Sequence, residues 1–436
     1  MTTRHSEGIK TWLHKHAIAL AGTEPDTPEE DLAPLTHILT GVDVVALGES
    51  NHGTREFFQV RHRMIRFLVR HMGFNVLAME ASYSAARALN DYIVYGRGSR
   101  STALTDLRSA MWDVAEFGEI LEWLRTHNAA LPEEKRVRIF GADILQTRFS
   151  REHVLAYLRK IGSDQTDGAR RMFERIGKGE ADGLLMAHKQ LSSQLLHELR
   201  DLEQWFDHTG KTCTSQKSAN ENRLAAQHLR VVVQWVAANV RENSEETGLD
   251  NIARSGFLAE NILGLLASDE PPKPKVILWA HNFHVVVGCK DAQGEERRNL
   301  GLILRQKLGA RYYVFALEMD HGAYTARQWL ADRSFGELTV GHVSAAPEGT
   351  IPWYLSSVGH PALLLGLRGA PQEAAVEEWL TTPQTMYCMG WALSDPPLLS
   401  QVVLQKAFDG IVFIETSTPT RPTENAVASI RRREAY

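Results

Sequence analysis

The stretch Val42-Asp-Val-Val-Ala-Leu-Gly-Glu-Ser-Asn-His-Gly-Thr54 opens the part of the chain that decides the fold. Residues 42–47 are apolar and rich in Val, which is typical of a buried strand. Residues 55–72 carry apolar side chains at helical spacing, and Gly73 is suited to end that helix. A second apolar run follows at 74–79. A strand, a helix and a strand with a short return form a βαβ unit, which predicts a mostly parallel sheet.

Further apolar runs of the same kind predict more strands for this sheet. They lie at residues 137–140, 276–279, 312–317, 362–365 and 410–414. No such run occurs between residues 151 and 268, where stretches such as 224–240 have helical spacing instead. The sequence therefore predicts an α/β fold with a mostly parallel central sheet flanked by helices and with a large helical insertion.

This pattern divides the chain into three parts. Residues 1–150 would form the first part of the α/β core, 151–268 the helical insertion, and 269–436 the second part of the core. Inserted helices in α/β enzymes often roof a cleft, so the insertion is expected to act as a lid or substrate wall. A plain packing role for these helices stays open as the alternative.

Composition excludes several classes of partner. The 48 Lys and Arg residues nearly balance the 53 Asp and Glu residues, so nothing favours nucleic acid or an acidic membrane as a partner. Cys213, Cys289 and Cys388 lie far apart, which argues against a disulfide framework or a CxxC zinc site. The N-terminal residues lack the apolar segment of a secretory signal, and no apolar stretch approaches the roughly 20 residues of a membrane span. A cytoplasmic location is expected.

Polar side chains follow the first predicted strand where a functional site is expected. Gly48 turns the chain after the strand, and Glu49 and His52 come just before the helix. In open α/β sheets, ligands bind outside the carboxyl ends of the strands. Thr54 is suited to cap the helix, and that structural role accounts for Thr54 and Gly53 but leaves Glu49 and His52 unexplained. We therefore expect this pair to be functional.

Two other strand ends carry residues of the same chemistry. Glu80 ends the second strand and would lie next to Glu49 and His52 in a parallel sheet. His281 and His284 follow the strand at 276–279. A carboxylate at a strand end is often a helix cap, and a single His is often structural, but two His at this edge favour a site.

Two weaker candidates lie nearby. Arg61 is nine residues after His52, so on a helix it could lean back over the strand end, although spacing alone favours a solvated position among neighbouring Arg residues. Asp143 follows the strand at 137–140 and is expected to be a helix or turn cap.

Ser50 supports a competing mechanism. Gly48, Ser50 and the strand-to-helix turn resemble a GxSxG nucleophile elbow, but His52 occupies the fifth position, where the elbow needs a small residue. Asp143 and His281 could complete a triad in the order Ser, Asp, His. A serine-type esterase that uses Ser50 therefore stays open as an alternative.

No cofactor is expected from the sequence. Two carboxylates and three His could hold a divalent metal, since they offer suitable oxygen and nitrogen ligands. The HExxH motif is absent, however, and the pair formed by His281 and His284 lacks nearby Cys ligands for a structural zinc. A divalent metal is thus possible but not favoured.

The motifs taken together resemble the erythromycin esterase family. The resemblance covers about residues 42–422, and its most specific motifs are GExxHG and WAHNxH. It rests on Gly48-Glu-Ser-Asn-His-Gly-Thr-Arg-Glu-Phe57, Met79-Glu80, Trp279-Ala-His-Asn-Phe-His284, Arg254 with Ala259-Glu-Asn261, Met389-Gly390, Phe408-Asp409 and Thr420-Arg-Pro422. The resemblance implies a hydrolase that opens the macrolactone ester of a macrolide without a covalent serine, and so confers macrolide resistance.

The family's functional positions correspond to six residues here. These are Glu49, His52, Arg61, Glu80, His281 and His284. With water as the nucleophile, His52 would be the general base, since its pKa suits proton transfer near neutrality. Glu49 or Glu80 would hold its ring. Arg61 and one of His281 and His284 would face the oxyanion, and the other His would protonate the leaving oxygen.

Two departures from the family pattern concern the substrate. Ser255 stands where the family commonly has an acid, and Thr350-Ile-Pro-Trp-Tyr354 replaces a more polar stretch. The expected partner is a small-molecule ester or lactone, and the sequence gives no oligomeric state. A related esterase or acyl-transfer enzyme of a biosynthetic pathway, and a non-catalytic protein associated with sugar polymers, are the alternatives.

Overall fold

The computed structural model describes residues 3–180, 193–240, 251–267, 272–288, 298–330, 335–369 and 373–432. Eleven strands are defined within these ranges. They are β1 (Ile18–Ala19), β2 (Val44–Leu47), β3 (Val76–Ser82), β4 (Arg138–Asp143), β5 (Val276–Trp279), β6 (Tyr312–Trp329), β7 (Phe335–Val343), β8 (Ala362–Gly366), β9 (Pro383–Tyr387), β10 (Leu399–Val403) and β11 (Gly410–Ser417).

The helices are distributed along the whole described chain. They are α1 (Thr3–His16), α2 (Leu35–Ile38), α3 (Arg55–Met72), α4 (Ala86–Tyr95), α5 (Arg100–Asp106), α6 (Ala115–Ala129), α7 (Arg148–Lys160), α8 (Thr166–Glu180), α9 (Ser193–Lys211), α10 (Gln216–Asn239), α11 (Asn251–Leu266), α12 (Asn282–Val285), α13 (Leu300–Leu308), α14 (Ile351–Ser356), α15 (Ala374–Thr381), α16 (Leu404–Ala407) and α17 (Glu424–Arg431).

A nine-stranded sheet forms the centre of the protein. Its order is β1-β8-β11-β6-β2-β5-β3-β4, with β7 paired to β6. The six strands from β11 to β4 along this order run parallel, whereas β1, β7 and β8 are antiparallel to their neighbours. The prediction of a mostly parallel α/β sheet is confirmed. Two strand pairings were not predicted. Strand β7 pairs with β6, and β9 and β10 form a separate two-stranded sheet.

The predicted βαβ unit is present, but its two strands are not neighbours. Strand β2, helix α3 and strand β3 follow each other, and Gly73 ends α3 in a left-handed conformation with φ 72°. Strand β5 lies between β2 and β3, because Val276 is in register with Val44 on one side and with Val76 on the other. The expectation that Glu80 lies directly beside Glu49 is therefore wrong, since the end of β5 separates them.

Alternation along the central strands builds a core on each face of the sheet. In β2, Val45 and Leu47 point to one face, where they pack with apolar side chains of α3, α4 and α6. Val44 and Ala46 point to the other face, where α1, α13, α14 and α15 cover them. Successive strand residues point to opposite sides, so an all-apolar strand requires helices on both faces. The result is a three-layer architecture that leaves the strand ends free.

Helices follow one another between β4 and β5, and no strand is defined in the described residues of this region. Helices α7 to α10 share an apolar cluster of their own, which includes Leu158, Phe173, Leu199 and Trp235. Helix α11 also supplies apolar side chains to the core beside the sheet. The predicted boundary at 268 lies outside the described residues, and the division into three parts stays a prediction.

The helices of this region are amphipathic. None of the helices in the described ranges is long and apolar enough to cross a bilayer. The 24-residue helix α10 carries Lys217, Glu221 and Arg230 among its apolar positions. Its buried side chains, such as Leu229 and Val236, belong to the cluster shared with α7 to α9.

Candidate active site

Strands β2 and β5 end at the same level, and the pairing of β3 with β5 stops there too, which brings the residues that follow into one row. Leu47 of β2 is in register with Trp279 of β5, and Trp279 is in register with Met79 of β3. The residues that follow these strand ends therefore emerge together at the carboxyl edge of the sheet. Of the six predicted site residues, Glu49, Glu80 and His281 lie in this row.

Close packing at the first strand end explains its glycines. A Cβ atom on Gly48 would collide with the side-chain oxygen of Asn282, and a Cβ atom on Gly53 would collide with the carbonyl of Thr325. The amide of Asn282 also donates to the carbonyl of Glu49 at 2.8 Å. The loop between β2 and α3 is thus pressed against α12 and β6, which fixes the backbone of Glu49 and His52.

Glu49 bridges His52 and Arg61. Its Oε1 atom lies 2.6 Å from His52 Nδ1, and its Oε2 atom lies 2.6 Å from Arg61 Nη1. The second guanidinium nitrogen of Arg61 donates to the carbonyl of Gly48, and the guanidinium lies 4.5 Å from the centre of the Trp279 ring. The carboxylate is therefore held from both sides.

The position of Arg61 corrects its predicted role. Its side chain is 0% exposed and lies behind Glu49, enclosed by the carboxylate, a backbone carbonyl and Trp279. It is neither a solvated helix residue nor a donor at the cleft. An oxyanion cannot reach a guanidinium in this position, so Arg61 supports Glu49.

The charges in this group shift the pKa values of its members. Burial would raise the pKa of Glu49, but the charges of Arg61 and His52 outweigh it and lower that pKa to about 2. Burial would lower the pKa of His52, but the charge and hydrogen bond of Glu49 outweigh it and raise that pKa above 6.5. His52 Nε2 has no hydrogen-bond partner among the described residues. This nitrogen is free to accept a proton.

Glu80 is enclosed by a second set of donors. Its Oε1 atom accepts from Arg254 Nη2 at 2.9 Å and lies 3.1 Å from His284 Nε2. Its Oε2 atom accepts the backbone amide of His281 at 2.9 Å. Burial opposes ionisation, yet the charges of His284 and Arg254 bring the pKa of Glu80 well below its ordinary value. Glu80 does not hold the ring of His52.

Arg254 is the site residue that was not predicted as one. Its Nε atom donates to Asp143 at 3.0 Å, and its Nη2 atom donates to both Asp143 and Glu80. Its side chain is 11% exposed, whereas that of Asp143 is fully buried. Asp143 accepts the backbone amide of Ile144 at 2.7 Å, in agreement with the predicted turn role, and it also anchors Arg254, which was not predicted. Helix α11 brings Arg254 to the strand ends over a sequence distance that no local spacing indicates.

His281 and His284 each have both ring nitrogens engaged. His281 Nε2 donates to the carbonyls of Met389 at 3.0 Å and Ser50 at 3.3 Å, while Nδ1 accepts the Phe283 amide at 3.1 Å. Since carbonyl oxygens only accept, the proton is on Nε2. Burial and the nearby charge of His52 lower the pKa of His281 to about 4. This imidazole is neutral at pH 7.

His284 is fixed between helix α11 and strand β3. Its Nδ1 atom lies 3.2 Å from the hydroxyl of Ser255, and its Nε2 atom faces Glu80. The Ser255 hydroxyl also accepts the backbone amide of Leu300 at 3.0 Å. The family that the sequence resembles commonly has an acid at the position of Ser255, and a serine brings no carboxylate to His284. In the described part of the chain, Glu80 is therefore the only carboxylate that contacts His284.

Ser50 is not arranged as a nucleophile. Its residue is completely buried, and its hydroxyl has no hydrogen-bond partner among the described residues. A serine nucleophile needs a base within hydrogen-bond reach. His281 donates to backbone carbonyls and Asp143 binds Arg254, so the triad considered from the sequence is not assembled.

The site does not present a preformed metal-binding geometry. Within the described ranges, no three His, Cys, Asp or Glu side chains converge as a bound ion would need. The carboxylates of Glu49 and Glu80 are taken up by arginine and histidine donors. Cys289, which was considered beside His281 and His284, lies outside the described residues.

Comparison with known sequences gives a consistent result. The sequence pattern of the erythromycin esterase family matches residues 69–417, which is well over half of the chain. The Escherichia coli protein erythromycin esterase type II is 31% identical, and the alignment covers 94% of this chain and 98% of that relative.

Solved structures share the fold. A succinoglycan biosynthesis protein superposes with a TM-score of 0.79 at 20% identity, covering 97% of this chain and 100% of that one. A mutant of the erythromycin esterase EreC in its open conformation superposes with a TM-score of 0.67 at 17% identity, covering 91% and 96%. At these identities the likeness concerns the architecture alone.

Proposed function

Because the chain belongs to the erythromycin esterase family, we propose that it opens the macrolactone ester of a macrolide such as erythromycin and thereby confers macrolide resistance. One observation carries this proposal. A buried glutamate holds one nitrogen of His52, and the other nitrogen has no partner among the described residues. This is the arrangement that a general base for water requires.

Water is the proposed nucleophile. His52 Nε2 accepts a proton from the water molecule as the water oxygen forms a bond to the ester carbonyl carbon. The imidazolium formed in this step is stabilised by Glu49, whose lowered pKa keeps it charged. Arg61 in turn holds Glu49 in place, so the base is oriented before the substrate arrives.

Arg254 is the proposed donor to the tetrahedral oxyanion. Its Nη1 atom has His284 as its only partner in the described part of the chain, at 3.3 Å. The ends of β2 and β3 lie two strand spacings apart, about 10 Å, which leaves room for a water molecule and an ester carbonyl. A guanidinium that stays charged at all relevant pH values stabilises the negative oxygen between these strand ends.

The same histidine completes the reaction. The tetrahedral intermediate collapses when the bond to the lactone oxygen breaks, and His52 returns its proton to that oxygen. The products are a carboxylate and a hydroxyl on one opened chain, so one water molecule is added overall. His281 and His284 take no proton in this scheme, because both nitrogens of each are engaged.

Mass spectrometry tests the proposal directly. Erythromycin incubated with the protein should gain the mass of one water molecule, and the His52→Ala variant should form this product at least about 10²-fold more slowly. A panel of macrolides that all stay unchanged with the folded wild-type protein would contradict the proposed substrate class.

A different ester is the second candidate substrate. This alternative rests on Ser255. A serine in place of the family's acid changes the polar surroundings of His284 within the site itself. The other departure, at residues 350–354, lies in the N-terminal turn of α14, where Thr350 caps the helix and Tyr354 is buried in the core. Turnover of other esters or thioesters, with macrolides unchanged, would favour this candidate.

The proposed reaction uses no bound metal. Each step relies on a water molecule, one imidazole and one guanidinium. Incubation with a chelator should therefore leave the turnover rate unchanged. Loss of activity that one added divalent metal restores would require a different mechanism.

A further inference from the structure

A short segment after β9 crosses the candidate site. We call Tyr387–Met389 the crossing segment. The amide of Met389 donates to the carbonyl of Ser50 at 2.7 Å, and the carbonyl of Met389 accepts from His281 Nε2 at 3.0 Å. One residue thus contacts both the loop that carries Glu49 and His52 and the imidazole that packs against His52. The His52 and His281 ring centres are 5.0 Å apart.

Glu318 connects the crossing segment to the central sheet. It lies in β6, where it is fully buried beside the end of β2. Its Oε2 atom accepts the amide of Tyr387 at 3.0 Å, and its Oε1 atom accepts the amide of Met319 at 2.9 Å. An apolar side chain at this position would remove the acceptor of both amides.

The surroundings of Glu318 differ from those of the other site carboxylates. In the described part of the chain, no Lys, Arg or His forms an ion pair with it, whereas Glu49 and Glu80 each have an arginine. Burial raises the pKa of Glu318 to about 8, although the amides of Met319 and Tyr387 and the nearby Ser50 hydroxyl lower it. The Ser50 hydroxyl lies near this carboxyl without the geometry of a full hydrogen bond.

We infer that Glu318 is a positioning residue for the base: it holds the crossing segment on Ser50 and His281, and so fixes the loop that carries His52. The role in catalysis rests on the proposed function, but the geometric link does not. Without Glu318 the Tyr387 amide loses its acceptor on β6, and among the described residues only the 3.4 Å bond from the Tyr387 hydroxyl to the carbonyl of Asp320 still joins Tyr387 to that strand. Met389 then releases its two hydrogen bonds, and the imidazole of His281 loses its fixed tautomer.

The Glu318→Gln variant tests this link with two measurements. Ring-nitrogen NMR of histidine-labelled protein reports the protonation of His281, which is assigned by comparison with His281→Asn. In the variant, we expect His281 to occur no longer only with its proton on Nε2. We also expect the pKa of His281 to rise from about 4 towards the ordinary value for histidine. We expect kcat for the lactone to fall about 10- to 100-fold, with KM nearly unchanged, because the base is displaced and binding is retained.

Asp320→Asn is the matched control. Asp320 lies on the same strand and is nearly as buried, but its carboxylate bonds the amide of Ala346, His321 and Ser356 and not the amide of Tyr387. The backbone carbonyl of Asp320, which accepts the Tyr387 hydroxyl at 3.4 Å, is retained in the variant. This variant should keep both the His281 spectrum and kcat. If Glu318→Gln does not fold, Glu318→Asp keeps the acid but shortens its reach and serves the same comparison.

The outcomes separate this inference from the proposed function. An unchanged His281 spectrum in a folded Glu318 variant would overturn the inference, as would a kcat equal to that of Asp320→Asn. If the wild-type protein left macrolides intact, the proposed function would fail, while the NMR comparison would still decide whether Glu318 holds the crossing segment.

Discussion

Two groups of the same three residue types lie at one edge of the sheet. The strand-β2 group is Glu49, His52 and Arg61, and the strand-β3 group is Glu80, His284 and Arg254. In the first group the arginine is enclosed, and one nitrogen of the histidine has no partner in the part of the chain that the structure describes. In the second group both nitrogens of the histidine are engaged and the arginine is partly exposed. The two groups contain the same residue types and differ only in the hydrogen bonds that these residues form.

This difference assigns opposite tasks to the two groups. A base needs a nitrogen without a partner, which only the strand-β2 group offers among the described residues. A donor to an oxyanion needs N–H groups at the cleft, and the partly exposed Arg254 meets this need while Arg61 does not. The same residue types therefore act as base and as electrostatic support, according to which member faces the cleft.

Removal of the base should have the largest effect. We expect His52→Ala to lower kcat by about 10²- to 10⁴-fold with the fold intact, the range for loss of a general base. His284→Gln, which keeps a donor towards Glu80, should lower kcat less. Steady-state kinetics of both purified variants make the comparison, and equal losses would contradict the assignment of opposite tasks.

The enclosed arginine should matter most for stability. Arg61→Met leaves the buried carboxylate of Glu49 without its cation, and removing one partner of a buried ion pair costs about 3–5 kcal/mol. We expect the free energy of unfolding, measured by urea denaturation, to fall by about that amount. A variant as stable as the wild type would mean that Arg61 is not needed to hold Glu49.

The exposed arginine should matter most for turnover. Arg254→Lys keeps a charge near Asp143 and Glu80 but loses the planar set of donors. We expect kcat to fall about 10²-fold, as for loss of one oxyanion donor, with KM little changed. A rise in KM at constant kcat would instead identify Arg254 as a binding residue.

The pH profile reports on the strand-β2 group. His52 must be neutral to act as a base, and its pKa is raised above 6.5 by Glu49. The value of kcat/KM should therefore rise with pH through that raised pKa. In Glu49→Gln the charge is gone and burial remains, so the acid limb should move to lower pH. If the acid limb of the Glu49→Gln profile stayed at the same pH, a group other than His52 would be responsible for it.

The smallest effect is expected at Ser50. Although Ser50 is buried, its hydroxyl makes no full hydrogen bond in the described part of the chain and only lies near the carboxyl of Glu318, so we expect Ser50→Ala to change kcat by no more than about twofold. Met389 and His281 contact the backbone carbonyl of Ser50, which the variant retains. A collapse of activity would favour the acyl-serine mechanism.

The sequence predicts the parts of this site that depend on local pattern. Apolar runs followed by Glu49, Glu80 or His281 indicate strand ends, and parallel strands bring such ends to one edge. It does not predict that β5 lies between β2 and β3, because the order of strands is decided by packing between distant segments. The pairing of Arg254 with Asp143 depends on the same packing.

The direction of Arg61 also lies beyond the sequence pattern. Helical spacing places it near the strand end but does not tell whether its guanidinium faces the cleft or the core. The aromatic face of Trp279 and the carboxylate of Glu49 draw it inwards, and both contacts come from the tertiary structure. Spacing predicts which residues meet, whereas the connections among them require the fold.

The closing contacts of the His52 loop come from the last part of the described chain. The amide of Thr420 donates to the carbonyl of Gly53 at 2.9 Å, and the amide of Arg55 donates to Thr418 at 2.9 Å. Strand β11, just before these residues, occupies an inner position between β6 and β8. During synthesis, Glu49 and His52 thus leave the ribosome long before the residues that hold them. The loop that carries Glu49 and His52 therefore gains its last backbone contacts only after residues 418–420 have been synthesised and have folded onto it.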